Sequence, residues 1–427
     1  MKLFVFSADA MVSEDLKLLK TLPNYRKYLS EASAVEKVRS IYPSITYPCH
    51  VTMSTGTYPD RHGVTSNFDF SPAVDPMKWC WFHDCVKAKD IFTAAKEKGL
   101  STCSVFWPTT GRHPDIDYLI PEYWTQTKKE SLEDAFAGAG SSPEMLEVIR
   151  RHKDVMAERT HPMCDQFVID CSVDILKKYR PDLMMIHPAN IDAYRHQYGV
   201  FNDKVDQGIR ETDAWIGQIF EAAEEADILE DFNFVLTSDH GQIQIVRTIN
   251  LNRLLLDKGY IKTDADNNLV DWEAFCLGVG TSAHVYLKNR SDKCLYHEVQ
   301  DLLLSLKESN LYGISEVFDA ARAKKDYHLE GDFSFVLETD GYSSFGSSWK
   351  LPLSSSSTGG DYRYGKATHG HLPEKGPQPI LTAVGPGFKN NVSIRNAGLV
   401  DEAPTYAKLL GLSLPDTDGR PIQRILR

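Results

Sequence analysis

The chain has 427 residues, 42% apolar and 25% charged, ordinary values for a globular protein with a large core. Its 47 lysines and arginines against 59 acids leave a formal charge of −12. That balance argues against a nucleic-acid polymer or an anionic membrane as general partner, and leaves small anionic substrates open. Eight cysteines, at 49, 80, 85, 103, 164, 171, 276 and 294, lack paired CxxC spacing and predict buried free thiols in a reducing compartment. The apolar run Leu3 to Phe6 is too short for a secretory leader, and no run approaches the roughly 20 apolar residues of a membrane span. The expectation is a soluble cytoplasmic protein, monomer or homodimer, of one large domain with insertions or of two.

The first strand, Lys2 to Phe6, ends at Ser7-Ala8-Asp9, with an acid just past the strand. Residues 14 to 32 read as helix interrupted by Pro23, with Leu16, Leu19, Leu22, Tyr25 and Leu29 on one face. A strand near 35 to 42 meets Ser44-Ile45-Thr46-Tyr47-Pro48, where Pro48 marks a helix start and places Thr46 at a helix N-terminus that favours anions. The turn-rich stretch from Thr55 to Asn67 is a loop. A helix at 88 to 98 leads to the strand Thr102 to Phe106 and then to Trp107-Pro108. From 109 to 145 the chain reads as irregular and aromatic, a lid-like insertion or pocket wall with Tyr118, Tyr123 and Trp124.

Helical periodicity returns from 143 to 179. Leu183 to Ile186 is a buried strand, followed by Asp192 and His196, four apart and therefore on one face if helical. A long helix, 202 to 226, feeds the strand Phe232 to Leu236, which stops at Thr237-Ser238-Asp239-His240-Gly241. The alternation of strand and helix predicts an α/β fold with a mostly parallel sheet covered on both faces, and ligands at the carboxyl ends of its strands. Residues 251–360 read as an inserted α+β cap subdomain, with Ser354 to Gly360 as an exit loop, and 361–427 return to the catalytic core of 1–250 through Thr368-His369-Gly370.

Collected, the candidate ligands are Asp9, Asp192, His196, Asp239, His240 and His369, beside Thr46. Three carboxylates and three imidazoles make a mixed N/O set that suits zinc, with manganese or iron as substitutes, better than magnesium or calcium. Six exceed what one catalytic zinc with an open position takes, and suit two ions about 4 Å apart clamping an in-line displacement. Metal coordination activates a threonine hydroxyl, otherwise a poor nucleophile, and phosphoryl-type transfer is the natural reaction.

These residues lie in stretches that resemble the nucleotide pyrophosphatase/phosphodiesterase family of the alkaline phosphatase superfamily. The resemblance rests on the strand into Asp9, Pro43 to Pro48, Thr55 to Gly63, Asn67, Phe106-Trp107-Pro108, Asp192 to His196, Thr237 to Gly241 and Thr368-His369-Gly370, in that order. It implies an alkaline-phosphatase-like three-layer αβα core with Thr46 as nucleophile. Asp9, Thr46, Asp239 and His240 would hold one zinc, and Asp192, His196 and His369 the other. Asn67 and the Thr46 backbone N–H would donate to a phosphoryl oxygen, and a phospho-threonine would be hydrolysed by water. Tyr47, Trp107 and Tyr123 are expected to line the substrate pocket of a small phosphodiester.

The nearest alternative is a phosphonoacetate hydrolase-like enzyme, which paired lysines at the pocket would favour. A phosphate monoesterase would call for an added cation, with Arg61 and Arg195 as candidates. Cys49 and His62 read as packing residues, His371 as a residue behind the ligands, and Lys366 as a solvated side chain.

Overall fold

The computed structural model describes residues 1–72, 74, 77–156, 159–357 and 365–427. Among these, an eight-stranded sheet runs in the order Ser393–Gly398, Ser33–Arg39, Leu381–Val384, Phe232–Thr237, Lys2–Ser7, Leu183–Ile186, Thr102–Val105, Tyr118–Ile120. Leu381–Val384 is antiparallel to both its neighbours, and every other adjacent pair is parallel. The central strands carry bulky apolar residues on both faces, as a sheet covered on two sides requires. Phe4, Phe6, Phe234 and Ile186 pack against Ile169, Ile216 and Phe220 of the helices Met163–Tyr179 and Asp203–Glu225. On the other face Leu3, Val5, Val235 and Met185 pack under Met53 and Tyr406, from the helices Thr46–Thr55 and Glu402–Leu410. The architecture is the α/β fold expected.

Register brings the strand ends level. Phe6 stands beside Ile186 and Ser7 beside Thr237, so the chain leaves all three strands at one height. Asp9, His187 and Asp239 follow within three residues, at the carboxyl edge where parallel sheets place ligands.

After Ile249 the pattern changes. Strands Ala274–Val279, Ser282–Leu287, Phe335–Thr339 and Ile314–Asp319 form a four-stranded antiparallel sheet, packed with the helix Lys293–Glu308 around Phe275, Val285, Val299 and Leu337. The hand-over from the core is a three-stranded sheet in which Arg247–Ile249 lies between Ser343–Phe345 and Ser354–Ser356. Ser354 to Ser356 are therefore strand rather than exit loop, because the free edge of Arg247–Ile249 takes up their backbone groups. The rest of the expected loop, 358–360, and the expected boundary at 361 lie outside the described residues.

The stretch 109–145 is more regular than its composition suggests. Tyr118–Ile120 adds the edge strand beside Thr102–Val105, and Leu132–Gly138 is a helix that buries Phe136 in the core. Two helices, Leu16–Leu19 and Pro23–Tyr28, replace one broken helix, and Pro143–His152 and Met163–Tyr179 replace the single periodic run.

Candidate metal centre

Two carboxylates are prepared in the same way. Asp9 Oδ2 lies 3.0 Å from His187 Nε2, and Asp239 Oδ1 accepts from the Ala10 N–H at 3.2 Å. Each acid thus has one oxygen fixed by the protein, and the other, Asp9 Oδ1 and Asp239 Oδ2, is buried with no hydrogen-bond partner. Both unpaired oxygens face His240 Nε2, at 3.6 and 3.1 Å, and Thr46 Oγ1 lies 3.2 Å from the same nitrogen. Burial pushes Asp9 and Asp239 well above the usual carboxylate range, with the Asp192 charge adding to the rise at Asp9 and the Asp9 charge to that at Asp239. Burial and the neighbouring His369 push His240 well below the usual imidazole range, so it offers a lone pair. A cation among these atoms is what would offset two converging buried carboxylates.

A second donor set adjoins the first. The helix Asn190–Tyr198 carries Asp192 and His196 one turn apart, with His196 Nε2 at 3.2 Å from Asp192 Oδ2. His196 Nδ1 is bound to the Ala367 carbonyl at 2.8 Å, which fixes the proton there and turns the Nε2 lone pair inward. His369 Nε2 lies 3.7 Å from Asp192 Oδ1, and burial takes the His369 imidazole down to about 3. Burial raises the Asp192 carboxyl, but His196, His369 and His240 outweigh it and hold the group below its ordinary value. One atom from each of Asp9, Asp239 and His240 falls within a 4.8 Å set, as does one from each of Asp192, His240 and His369. The residues present therefore fit two ions side by side.

Thr46 opens the ten-residue helix Thr46–Thr55 and is 7% exposed, buried yet reachable. Asn67 accepts the Tyr47 N–H through its Oδ1 at 2.9 Å, which leaves its amide N–H groups directed elsewhere. A cavity of about 220 Å³ opens from the donor atoms, walled by Tyr47, Trp79, Phe106 and Trp124, with Glu122, Arg159 and Asp165 further out. The Tyr47 and Trp79 rings lie 5.3 Å apart, and Arg159 sits 4.6 Å over Trp124.

Two expected pocket residues are placed elsewhere. Trp107 is fully buried under the helix of Thr46, donating its indole N–H to the His50 carbonyl at 3.2 Å, so it supports the helix and meets no ligand. Tyr123 turns its ring against Trp81 and Phe82, while the adjacent Trp124 lines the cavity. Neither candidate cation stands at the site: Arg61 pairs with Asp418 at 2.9 Å, and the fully buried Arg195 is tied to Asp15 and to the Ala10 and Val200 carbonyls. Cys49 packs in the core 3.3 Å from Ser40 Oγ, and His62 bonds Thr52 Oγ1 at 3.0 Å. His371 binds the Leu372 carbonyl at 2.9 Å and packs on Gly376, and the Lys366 side chain is exposed.

Sequence reasoning missed His187, Trp79 and Glu122. His187 holds Asp9 and lies 4.2 Å from the His50 ring, whose Nδ1 meets the Thr46 carbonyl at 2.8 Å and whose Nε2 meets Ser7 Oγ at 2.9 Å. It ends a buried strand as Asp9 and Asp239 do, so the same strand-end signal pointed to it. Burial raises the half-buried Glu122 to about 7, and its Oε2 has no hydrogen-bond partner.

The sequence profile of the type I phosphodiesterase / nucleotide pyrophosphatase family matches residues 3–370. A Caenorhabditis elegans ectonucleotide pyrophosphatase/phosphodiesterase is 26% identical over 360 residues, 77% of this chain and 42% of that protein. Human ectonucleotide pyrophosphatase/phosphodiesterase family member 1 is 24% identical over 266 residues, 60% of this chain and 25% of that protein. The chain thus spans less than half the length of these curated relatives. The solved murine and human ectonucleotide pyrophosphatase/phosphodiesterase 5 share its fold, with TM-scores of 0.69 and 0.70 at 18% identity and full coverage of both chains. By its profile match over most of its length, the chain belongs to the type I phosphodiesterase / nucleotide pyrophosphatase family.

Proposed function

We propose that the protein is a dinuclear zinc hydrolase cleaving phosphodiester or pyrophosphate bonds in small nucleotide-like or other organic substrates, through a phosphate ester on Thr46. The observation that carries this reading is the convergence of Asp9 Oδ1, Asp239 Oδ2 and Thr46 Oγ1 on His240 Nε2. Zinc, or manganese or iron in the same N/O set, would lower the pKa of the threonine hydroxyl and neutralise phosphoryl charge. The chain supplies the rest. The positive end of the Thr46–Thr55 helix favours an anionic phosphoryl group, and the free Asn67 amide donates to a non-bridging oxygen.

Attack by Thr46 Oγ1 on phosphorus forms the enzyme ester and releases one substituent. Water then cleaves the ester and restores the hydroxyl. A threonine nucleophile agrees with the murine relative solved as an inactive threonine-to-alanine variant in complex with AMP. A diester is favoured over a phosphonoacetate because no lysine lines the aromatic cavity among the described residues. Of the cations a monoester would call for, Arg61 and Arg195 are committed to Asp418 and Asp15, and Arg159, at the outer part of the cavity, lies over the Trp124 ring, which supports a diester. The eight free cysteines support a reducing, cytoplasmic setting. Among the described residues no helix is long and apolar enough to cross a membrane.

Thr46→Ala is expected to lower the turnover of a p-nitrophenyl phosphodiester by at least about a thousandfold, while metal analysis still finds two ions per chain. Unchanged hydrolysis by that variant would refute the nucleophile.

A further inference from the structure

A second cavity, of about 150 Å³, lies on the other side of the metal centre, at the seam between the core and the four-stranded sheet. Phe68, Met77, Leu277, Phe345 and Trp349 give it an apolar wall, Ser347 and Thr368 are polar lining residues, and its mouth carries Ser348 and Lys350. At its inner end are Asn67 and His369, which also line the aromatic cavity. The two spaces therefore meet where the phosphoryl group would sit, so a phosphorus atom there can direct one substituent into each.

The far wall is firmly built. Thr281 donates its N–H and hydroxyl to the His369 carbonyl at 2.8 and 2.9 Å, the Phe345 N–H donates to the Gly280 carbonyl at 2.8 Å, and the Gly278 N–H donates to Ser347 Oγ at 2.9 Å. Backbone packing at the turn is tight enough that a Cβ on Gly280 would stand 2.1 Å from the His369 oxygen. The wall is thus set by backbone hydrogen bonds and is in place before substrate arrives.

The cavities differ in charge. Beyond the metal ligands, the aromatic one carries Glu122 and Asp165 together with Arg159, whose guanidinium lies over Trp124, and Glu122 Oε2 is an acceptor with no partner. Among the described residues that line the seam cavity there is no acid, and Lys350 is the charged side chain at its mouth. A cavity of about 150 Å³ has room for a benzene-sized group.

Resting on the phosphodiesterase reading, we propose that the seam cavity is a second substituent subsite. It takes an apolar group of aryl size, neutral or with an anionic end at Lys350, while the donor-bearing substituent occupies the Glu122 side. The enzyme then selects unsymmetrical diesters, with one arm in each cavity.

The test uses the full-length, zinc-loaded protein and three diesters: p-nitrophenyl methyl, p-nitrophenyl phenyl and p-nitrophenyl 4-carboxyphenyl phosphate, each corrected for its uncatalysed rate. Wild-type kcat/KM is expected to favour phenyl over methyl by about tenfold. Ser348→Trp, which fills the mouth, should bring that ratio to about twofold or less, mainly through KM for the phenyl ester. Lys350→Glu, at an exposed position, should lower the carboxyphenyl-to-phenyl ratio by about fivefold. A phenyl-to-methyl ratio near one in the wild type, or a ratio untouched by Ser348→Trp at normal zinc content, would overturn the subsite. Should Ser348→Trp fail to fold, an unchanged carboxyphenyl-to-phenyl ratio in Lys350→Glu overturns it instead. Failure of the wild type to hydrolyse any diester would instead sink the phosphodiesterase reading on which the subsite rests.

Discussion

Two clusters in this molecule have nearly the same composition and opposite chemistry. Asp9, Asp239 and His240 form one, and His83, Asp90 and His113 the other; in each, one donor atom per residue falls within 4.8 Å of the rest. In the second cluster both oxygens of the acid and both ring nitrogens of His113 are engaged by protein. The Asp115 N–H donates to His113 Nδ1 at 3.1 Å, which puts the proton on His113 Nε2, where it is donated to Asp90 Oδ2 at 2.7 Å. Asp90 Oδ1 caps the helix Ile91–Glu97 through the Thr93 N–H at 2.9 Å. Binding a metal through His113 Nε2 would set a donor on Nδ1 against the Asp115 N–H. The first cluster leaves Asp9 Oδ1 and Asp239 Oδ2 with no donor and points both inward. Residue types nominate a metal site, but the unpaired lone pairs make one.

The sharpest way to break this contrast is to change one acid in each cluster. Asp239→Asn should cost metal, from two ions toward one, and lower activity by at least about a hundredfold. Asp90→Asn should leave metal content and kcat/KM near wild type while lowering stability by about 1–3 kcal/mol, since it loosens a buried hydrogen bond and a cap. After chelation the signs should part: Asp239→Asn keeps or gains melting temperature by removing a buried acid next to Asp9, whereas Asp90→Asn still loses it. Metal analysis and thermal melts with and without chelator check both. Loss of metal from Asp90→Asn would erase the distinction.

The same contrast explains what the sequence could show. Asp9, Asp239 and His240 are legible because each follows a buried strand whose apolar run ends abruptly in polar residues there. Asp192 and His196 were legible from their spacing of four on a helix. Pocket residues were not, because in irregular segments no period ties a side chain to a direction. Tyr123 and Trp124 are adjacent, and only the fold shows which ring faces the cavity. Trp107 follows a strand like the ligands do, yet its indole is used beneath the Thr46 helix. Tyr118–Ile120, at three residues, is too short to show alternation, so the sequence shows no edge strand there.

A buried acid satisfied wholly by the protein sharpens the comparison through pH. Glu402 lies within 2.8 Å of Thr237 Oγ1 and of the Tyr406 hydroxyl, the Thr237 hydroxyl can donate to the Ile380 carbonyl and accept the Glu402 proton, and burial raises the Glu402 pKa from 4.5 to about 8. The folded state therefore holds a proton that the unfolded chain releases. The stabilisation is complete below pH 4.5 and is lost as pH rises toward about 8. Glu402→Gln keeps a neutral group of the same shape, so relative to it the wild type should lose on the order of a few kcal/mol across that window. Denaturant midpoints at pH 5 to 8 measure the difference, and parallel curves would show that Glu402 carries no such proton.

The smallest effect is expected at Arg61, where the two sides of the comparison can be told apart most cheaply. Its guanidinium meets Asp418 at 2.9 Å, with the arginine side chain 41% exposed, and Asp418 also accepts the Tyr58 N–H at 2.9 Å. Water screens such a pair, so Arg61→Ala should change stability by about 1 kcal/mol or less. Were Arg61 the cation of a monoesterase, the same variant would lose monoester turnover selectively, because a dianionic phosphoryl group depends more on a nearby positive charge than a diester does. An equal, near-unit ratio of variant to wild-type kcat/KM on p-nitrophenyl phosphate and on a p-nitrophenyl diester is the result expected. A drop confined to the monoester would place Arg61 among the groups left for a ligand, against its closed pairing with Asp418.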